Sequence, residues 1–217
     1  MTLEQIYERV ASLPNGGYIT VDTRLDRGYM YSLIHSARAF VVNERWKNNG
    51  FIPPVYYQPY KPEYVILSQD ADSCYSKFYN VPQIIALDGR GTGMGYVGAN
   101  GSLCQFREVN NRAQMASMMN NRIIRKMRKP MVLVLGAGEI EVYSNDSIEN
   151  MRIEAVFADP TTVNTYNVDF DDYPVDMGDI AKIEQLLMGG QFNMITRTPI
   201  DRINEQRDTT VPPQTRM

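Results

Sequence analysis

The sequence is poor in the residues on which covalent cross-linking, metal binding and catalysis most often depend. Among 217 residues it has two cysteines, Cys74 and Cys104, and one histidine, His35. Two cysteines are too few for a disulfide framework, and their spacing is not that of a metal site. We therefore expect a reducing compartment, with one buried thiol pair as the alternative. Any histidine-dependent triad or metal cage has to use His35.

Long apolar runs and a large charge excess are also missing. No stretch approaches the length of a transmembrane helix, and residues 1–13 carry charges where a signal peptide has its apolar core. The net charge is −3 and the pI is about 5.3, so the chain has no bulk electrostatic attraction for nucleic acid or anionic membranes. We therefore expect no membrane partner and no specific nucleic-acid binding.

Tyrosine and methionine, in contrast, are abundant, with 14 and 13 residues. Both are enriched at protein interfaces, because they bury a large area while staying adaptable. Methionine also fills irregular cores within a single chain. Composition alone leaves both interpretations open.

Two glycine clusters imitate nucleotide-binding loops. Residues 93–98 read Gly-Met-Gly-Tyr-Val-Gly, and residues 132–138 end in Gly-Ala-Gly. A dinucleotide fingerprint needs its glycine turn to open a helix whose N-terminus holds the pyrophosphate. Here the segments that follow, residues 103–106 and 139–143, predict strands. We interpret both clusters as hairpin turns and expect no cofactor; a small nucleotide-dependent enzyme is the alternative.

The acidic residues supply no specific metal or acid–base site. Four aspartates in one segment lack the ligand order, central glycine and terminal glutamate of a calcium loop: Asp169, Asp171, Asp172 and Asp176. Asp70 and Asp72 have the spacing of a carboxylate pair, but such pairs are common in turns. His35 lies within a predicted helix, and the chain has no nucleophile elbow. We predict no catalytic residue and no metal ligand.

Periodicity and turn residues predict an α+β fold with N-terminal helices, a mainly antiparallel β-rich middle containing an inserted helix, a C-terminal helix and an extended tail. The predicted parts are a helical part (1–50), a proline/tyrosine arm (51–62), a β-rich domain (63–160), an acidic loop with the C-terminal helix (161–190) and the tail (191–217). Helices are predicted at residues 3–13, 29–46, 112–129 and 177–188. Thr2 and Asp176 are candidate caps, and the second helical stretch has Asp22, Thr23 and Asp26 as alternative starts. Strands are predicted at residues 64–67, 83–87, 94–97, 103–106, 131–135, 139–143 and 152–157.

Two segments predict contacts between subunits. Residues 51–62 hold four prolines, which exclude a helix and a central strand, so we expect an arm lying on another surface, with a plain surface loop as the alternative. Residues 191–217 are polar and bury little area alone, so we expect both segments to be mobile until they lie on neighbouring subunits. The predicted subunit-interface residues are Tyr56, Tyr57, Tyr60, Phe192, Met194, Ile195 and Ile200.

The order of several short motifs resembles a family of bacteriophage virion proteins. The motifs are a helix at residues 26–38, a block at residues 77–87, Tyr-Val-Gly at 96–98, Gln-Phe-Arg at 105–107, a strand ending in Asp-Pro at 152–160, and an acidic segment with a helix at 171–188. The chain is similar over about residues 20–205 to the ring proteins of crAss-like phages of gut Bacteroidales, which stack beneath the portal. Each motif is short, and the shared order carries the resemblance.

This resemblance implies a structural virion protein in the portal–tail connector, assembled in the host bacterial cytoplasm. The implied partners are copies of the same chain in a ring, expected to be twelvefold, together with the portal and neighbouring ring or tail proteins. The mildly acidic charge suits a conduit, since a basic lumen would retain passing DNA. A monomeric accessory or assembly protein is a further alternative.

Overall fold

The computed structural model shows four helices and ten strands in the part of the chain that it describes. The described residues are 1–12, 26–60, 66–69, 75–87, 91–102, 104–121, 129–136, 138–144, 148, 150–163 and 165–188. The helices are α1 (Leu3–Ser12), α2 (Arg27–Asn49), α3 (Arg112–Asn120) and α4 (Met177–Met188). The strands are β1 (Gln58–Tyr60), β2 (Ile66–Gln69), β3 (Tyr75–Tyr79), β4 (Ala86–Leu87), β5 (Gly91–Thr92), β6 (Met94–Ala99), β7 (Arg107–Val109), β8 (Met131–Gly136), β9 (Glu139–Tyr143) and β10 (Met151–Ala155).

Side-chain caps set the helix starts at the predicted positions. Thr2 and Gln5 form a reciprocal capping box, in which each side chain accepts a hydrogen bond from the other residue's backbone N–H. The Asp26 carboxylate accepts from the Gly28 N–H at 3.2 Å and caps α2. Asp176 accepts from the Gly178 N–H at 3.1 Å at the start of α4. Each cap gives the first turn an acceptor that its free N–H groups need.

Helices α1, α2 and α4 form one layer around a shared apolar core. Their inward faces follow the helical period, as in Ile6 and Val10 of α1 or Ile180, Ile183 and Leu187 of α4. The same core takes in side chains from loops and strands that lie against the helices: Ile52, Tyr56, Ile85, Leu87, Val156, Tyr173 and Val175. The helical layer is therefore continuous with the β part.

Two principal sheets and a short pair make up the β part. A three-stranded antiparallel sheet has the order β1-β10-β6, and a five-stranded sheet has the order β2-β3-β9-β8-β7. Only the β7–β8 pair is parallel among the described strands, and α3 lies between these strands in the sequence, as a parallel connection requires. A second core lies in this part, with Phe78, Val97, Ile140, Ile153 and Phe157 among its buried residues.

Helix α3 is held to the five-stranded sheet by an apolar contact and an ion pair. Met115 packs with Val109, Met131 and Leu133 in a small separate cluster. Arg112 Nη2 lies 2.6 Å from the Oε1 atom of the fully buried Glu141. Because a buried carboxylate needs a charged partner, this pair fixes the start of α3 against β9.

The structure confirms the predicted α+β class, with helices first and a mainly antiparallel β part. The predicted helix at residues 112–129 is observed as α3, which ends at Asn120; residues 122–128 lie outside the described part. The first glycine cluster is corrected: Gly95 and Gly98 lie inside strand β6, and the turn follows at residues 99–102. Of the predicted strand at 103–106, residue 103 lies outside the described part, and residues 104–106 form a single bridge, between Gly98 and Gln105.

The prediction of an arm at residues 51–62 is also corrected for residues 51–60, the part that the structure describes. Pro54–Tyr56 is a 3-10 turn, and β1 (Gln58–Tyr60) is an edge strand paired with β10. Pro59 fits this edge because it has no N–H to donate to a further strand. The prolines did exclude a central strand, but neither the expected arm nor the alternative of a plain surface loop included the edge strand that residues 58–60 form within the same chain.

Candidate assembly surfaces

A buried arginine joins the helical layer to three loops. Arg38 of α2 is fully buried and donates hydrogen bonds to the backbone carbonyls of Pro174 (2.7 Å), Phe157 (2.8 Å) and Tyr56 (3.2 Å). Its guanidinium also lies 5.7 Å from the ring centroids of Tyr56 and Tyr173. Burial lowers the pKa of Arg38 from its usual value, and nearby tyrosines oppose that effect. This network holds the three loops together. Arg38 has no exposed surface with which to contact a ligand or a partner.

His35 belongs to the same buried cluster. Its Nδ1 atom lies 2.8 Å from the Tyr173 hydroxyl, and its Nε2 atom lies 3.3 Å from Oδ1 of Asp159. Burial lowers the pKa of His35 to about 4, although the Asp159 carboxylate opposes the shift and Arg38 adds to it. The imidazole is therefore neutral at neutral pH and bridges two loops.

Tyr56, one of the predicted interface residues, is locked inside its own protomer. It has no exposed surface, and its hydroxyl donates to the Asp179 carboxylate of α4. Arg45 of α2 lies 2.5 Å from the same carboxylate through its Nε atom. Burial raises the pKa of Tyr56, and the Asp179 carboxylate adds to that rise. In this conformation Tyr56 fixes residues 51–60 to two helices and offers nothing to a neighbour.

The other predicted interface residues differ in burial and in position. Tyr60 is buried in the β core, and its hydroxyl donates to the Asn80 carbonyl at 3.1 Å. Tyr57 is half-buried and lies at a surface groove, so it is the one tyrosine of the three that a neighbour can touch. The predicted tail residues, Phe192, Met194, Ile195 and Ile200, lie outside the described residues.

The glycine clusters are placed by close packing and turn geometry. A Cβ atom added to Gly95 would lie 2.7 Å from the Tyr57 ring, so glycine allows that ring to lie flat on β6. Gly138 has a φ of 78° in the turn between β8 and β9, as we expected of a hairpin. Both clusters are followed by extended or turn backbone, and neither opens a helix.

The acidic residues do not assemble into a cation site within the described ranges. No three His, Cys, Asp or Glu side chains converge there as metal ligands would. Asp176 pairs with Arg45, while Asp171 accepts from the Asn167 N–H at 2.7 Å. Asp70, Asp72 and Cys74 lie outside the described residues, and Cys104 is an exposed free thiol. None of the helices in the described ranges has the length and apolar character of a membrane span.

A groove lies beyond the C-terminal end of α2. It has a volume of about 560 Å³ and is lined by aromatic and charged side chains of α2, β1, β6, β10 and the loop between α2 and β1: Trp46, Phe51, Tyr57, Tyr96, Arg152 and Glu154. Phe51 on its rim is 58 % exposed, and the neighbouring Val55 is 48 % exposed. An aromatic concavity with exposed apolar rims is typical of a protein-binding surface.

An acidic loop, residues 166–172, lies at the other end of α2. Phe170 at its tip is 83 % exposed, the most exposed of the large apolar residues in the described part. The Tyr173 N–H that follows the loop donates to the Met1 carbonyl at 2.9 Å, and Glu4 of α1 pairs with Arg27 at the start of α2. The loop therefore presents a single aromatic side chain among aspartates near the N-terminal end of α2.

The α+β fold thus presents two exposed aromatic sites, Phe170 on the acidic loop and the groove at Trp46, Phe51 and Tyr57, which is typical of surfaces that bind other proteins. Comparison with known families places the chain in the class of phage tail ring proteins. Residues 5–210 match the CrAss_Ring_2 family, phage tail ring protein 2, and the chain belongs to that family. No curated protein matches the chain. The family match confirms the resemblance to crAss-like ring proteins.

Sequence reasoning missed Arg38 and the groove. Arg38 follows Ile34 by four positions and precedes Val41 by three, so the helical period placed it on the buried face. That signal was available in the sequence. The groove was not predictable, because it is built from residues of α2, β1, β6 and β10 that only the sheet pairing brings together.

Proposed function

We propose that this chain is a structural virion protein that forms a closed homomeric ring in the portal–tail connector, through which the phage genome passes. The family match over residues 5–210 carries the proposal, since the family is that of a tail ring protein. The ring is proposed to be twelvefold, with the portal and neighbouring ring or tail proteins as partners. The chain is proposed to assemble in the host bacterial cytoplasm and to remain in the virion.

The proposed relation to DNA is passage without specific binding. The net charge of −3 supports this, because a strongly basic lumen would hold the phosphate backbone. Which residues face the lumen depends on how the subunits are oriented in the ring.

Cross-linking of purified particles tests the ring. We expect a ladder of homo-oligomers of this 24.8 kDa chain together with links to connector proteins. A chain found only in lysates of infected cells, and absent from purified particles, would refute the structural role.

The tail, residues 191–217, is proposed to contact a neighbouring subunit through Phe192, Met194, Ile195 and Ile200. Apolar anchors of this kind commonly dominate an interface. We expect a protease to cut this segment in free subunits and to leave it intact in particles. Unchanged assembly and infectivity after deletion of residues 191–217 would show that the tail is dispensable.

We also propose that the chain is not an enzyme. Support comes from His35, whose two ring nitrogens contact Tyr173 and Asp159, and from glycine clusters that lie in a strand and a hairpin. In thermal-shift and calorimetric titrations we expect ATP, GTP and NAD to give no binding. Micromolar binding that is lost when Gly95 or Gly136 is replaced by a larger residue would overturn this part of the proposal.

A further inference from the structure

The two exposed aromatic sites lie at opposite ends of α2. The acidic loop adjoins Met1, and α1, which follows Met1, pairs with the first turn of α2 through Glu4 and Arg27, whereas the groove includes Trp46 in the last turn. His35, whose Nδ1 atom lies 2.8 Å from the hydroxyl of Tyr173 directly after the loop, is in the N-terminal half of α2. His35 and Trp46 are eleven positions apart, which is about 16 Å along a helix that rises 1.5 Å per residue.

A ring contact needs this arrangement of unlike surfaces. In a cyclic assembly of more than two copies each subunit uses one patch towards the preceding copy and a different patch towards the next. Two complementary patches on separated parts of one chain therefore suit a head-to-tail contact. We propose that Phe170 of one copy inserts into the groove at Trp46, Phe51 and Tyr57 of the next copy; this rests on the proposed function.

The acidic loop is held in a fixed shape by its own hydrogen bonds. The Asp171 N–H donates to the Asn167 carbonyl at 2.9 Å, and the Asn167 N–H donates to the Asp171 carboxylate at 2.7 Å. The Asp169 N–H donates to the Asn167 side chain at 3.0 Å. These bonds close a turn with Phe170 at its tip. Because they already fix the loop backbone, little backbone conformational entropy is lost when Phe170 docks.

The groove has the size and lining that a phenyl ring needs. Its volume of about 560 Å³ exceeds what one aromatic side chain fills, so the flanking loop backbone can enter as well. Trp46, Phe51 and Tyr57 offer ring faces and edges to an entering ring. Glycine at position 95 lets the Tyr57 ring lie against β6, because a Cβ atom there would lie 2.7 Å from the ring and force one of the two to shift.

The charges of the two sites are complementary. Residues 166–172 carry three aspartates and no basic residue, with Asp172 also paired to the Met1 amine. The groove end carries Arg152 paired with Glu154, and Lys47 is exposed in the same last turn of α2 as Trp46. Arg152 and Lys47 therefore offer cationic side chains at the groove end to the excess of negative charge on the acidic loop, which favours this pairing over loop against loop.

Two complementing variants test the contact in the full-length protein. Phe170→Asp removes the inserted ring, and Phe51→Asp places a carboxylate on the groove rim. Both side chains are more than half exposed, so each variant is expected to fold with an unchanged melting curve. Leu135→Asp serves as the matched control, since Leu135 is 39 % exposed and lies outside both sites.

The association of each variant, of their equimolar mixture and of the control is then compared by measuring molecular mass in solution. Each variant alone should associate at least about tenfold more weakly than the wild type, as expected when an interface anchor is lost. An equimolar mixture should form a dimer of two 24.8 kDa chains that grows no further, because one intact loop and one intact groove remain to meet. Leu135→Asp should assemble like the wild type.

A cysteine pair gives an independent readout. In a background with Cys74→Ser and Cys104→Ser, chains with Asp169→Cys and chains with Val55→Cys keep both Phe170 and Phe51, and a short bismaleimide should join them only when mixed. Rings that form with both aspartate variants, without this cross-link, overturn the inference and leave the proposed ring intact. A cross-link from the groove to residues 191–217 overturns it in favour of the tail. A wild-type chain that forms no closed ring, alone or in particles, contradicts the proposed function and the inference together.

Discussion

Single residues in the interior of this protein act as connectors between segments that are far apart in the sequence. Arg38 supplies N–H donors to the carbonyls of Tyr56, Phe157 and Pro174, all of them in buried residues. A guanidinium suits this task because its donors are fixed in one plane and point in different directions. The site therefore needs arginine, and an apolar residue of similar size satisfies none of the three acceptors.

Replacing Arg38 with Met should destabilise the protein by at least about 3 kcal/mol, since each buried carbonyl left without a donor costs about 1 kcal/mol or more. Urea unfolding followed by circular dichroism measures the change. Arg107→Met is the matched control, because Arg107 is exposed on β7 and its loss should cost less than about 0.5 kcal/mol. Equal effects of the two substitutions would show that the Arg38 network adds no stability.

The buried His35 predicts a pH dependence of stability. Its pKa is about 4 in the folded protein against 6.5 for the free side chain. Between these values the unfolded state binds more protons, so stability present above pH 6.5 falls as the pH falls towards 4. The His35 contribution to that loss should reach about 3 kcal/mol.

His35→Gln isolates this contribution, because the chain has no other histidine. We expect the variant to be less pH-sensitive than the wild type over this window, when the free energy of unfolding is measured by urea titration at several pH values. Parallel pH profiles for both proteins would mean that the imidazole is protonated in the folded state, or that it titrates alike when folded and unfolded.

Elements of this fold are set by local signals at their ends and by tertiary contacts along their length. Thr2, Asp26 and Asp176 were recognisable as caps, and the caps fixed the starts of three helices. The first glycine cluster was interpreted wrongly because glycine in a strand and glycine in a turn look alike in the sequence. Close approach of the Tyr57 ring to Gly95 decides between them, and that contact joins residues far apart in the chain.

The hairpin between β8 and β9 allows a controlled glycine comparison. Gly138 and Gly101 both have a φ of 78°, but a Cβ atom at Gly138 would lie 2.8 Å from the Val81 carbonyl oxygen, while Gly101 has open space. Gly101→Ala should cost about 1 kcal/mol from backbone strain alone, and Gly138→Ala about 2–3 kcal/mol because a backbone atom is also in the way. Thermal and urea unfolding of both variants measures the difference. Equal losses of stability in the two variants would indicate that the backbone at Val81 shifts to make room for the new Cβ atom at little cost in free energy.

At the scale of the whole molecule, the α+β class and the order of parts were predictable because helical and strand periods occupy different regions of the chain. The packing of these parts against one another was not predictable from the sequence. Residues 51–60 were expected to reach outwards because of their prolines and tyrosines, yet Tyr56 and Tyr60 are buried within the protomer. Proline content limits backbone pairing, but it carries no information about which surface the flanking tyrosines meet.

The same limit applies to the candidate assembly surfaces. Tyr57 was named as an interface residue and lies at the groove, but Phe51 and Phe170 were not singled out, since a lone exposed aromatic has no local sequence signature. The family match shows a tail ring protein. The proposed homomeric ring would use two unlike surfaces in a head-to-tail contact between copies.

A three-dimensional reconstruction of the portal–tail region of purified particles would show the proposed ring itself. The proposed function predicts a closed ring of this chain around the DNA passage; twelve copies of 24.8 kDa give a mass of about 300 kDa. The reconstruction should also place the N-terminal end of α2 of each copy against the groove of the next. A particle in which this chain is absent, or present only as isolated copies that do not contact one another, would contradict the account.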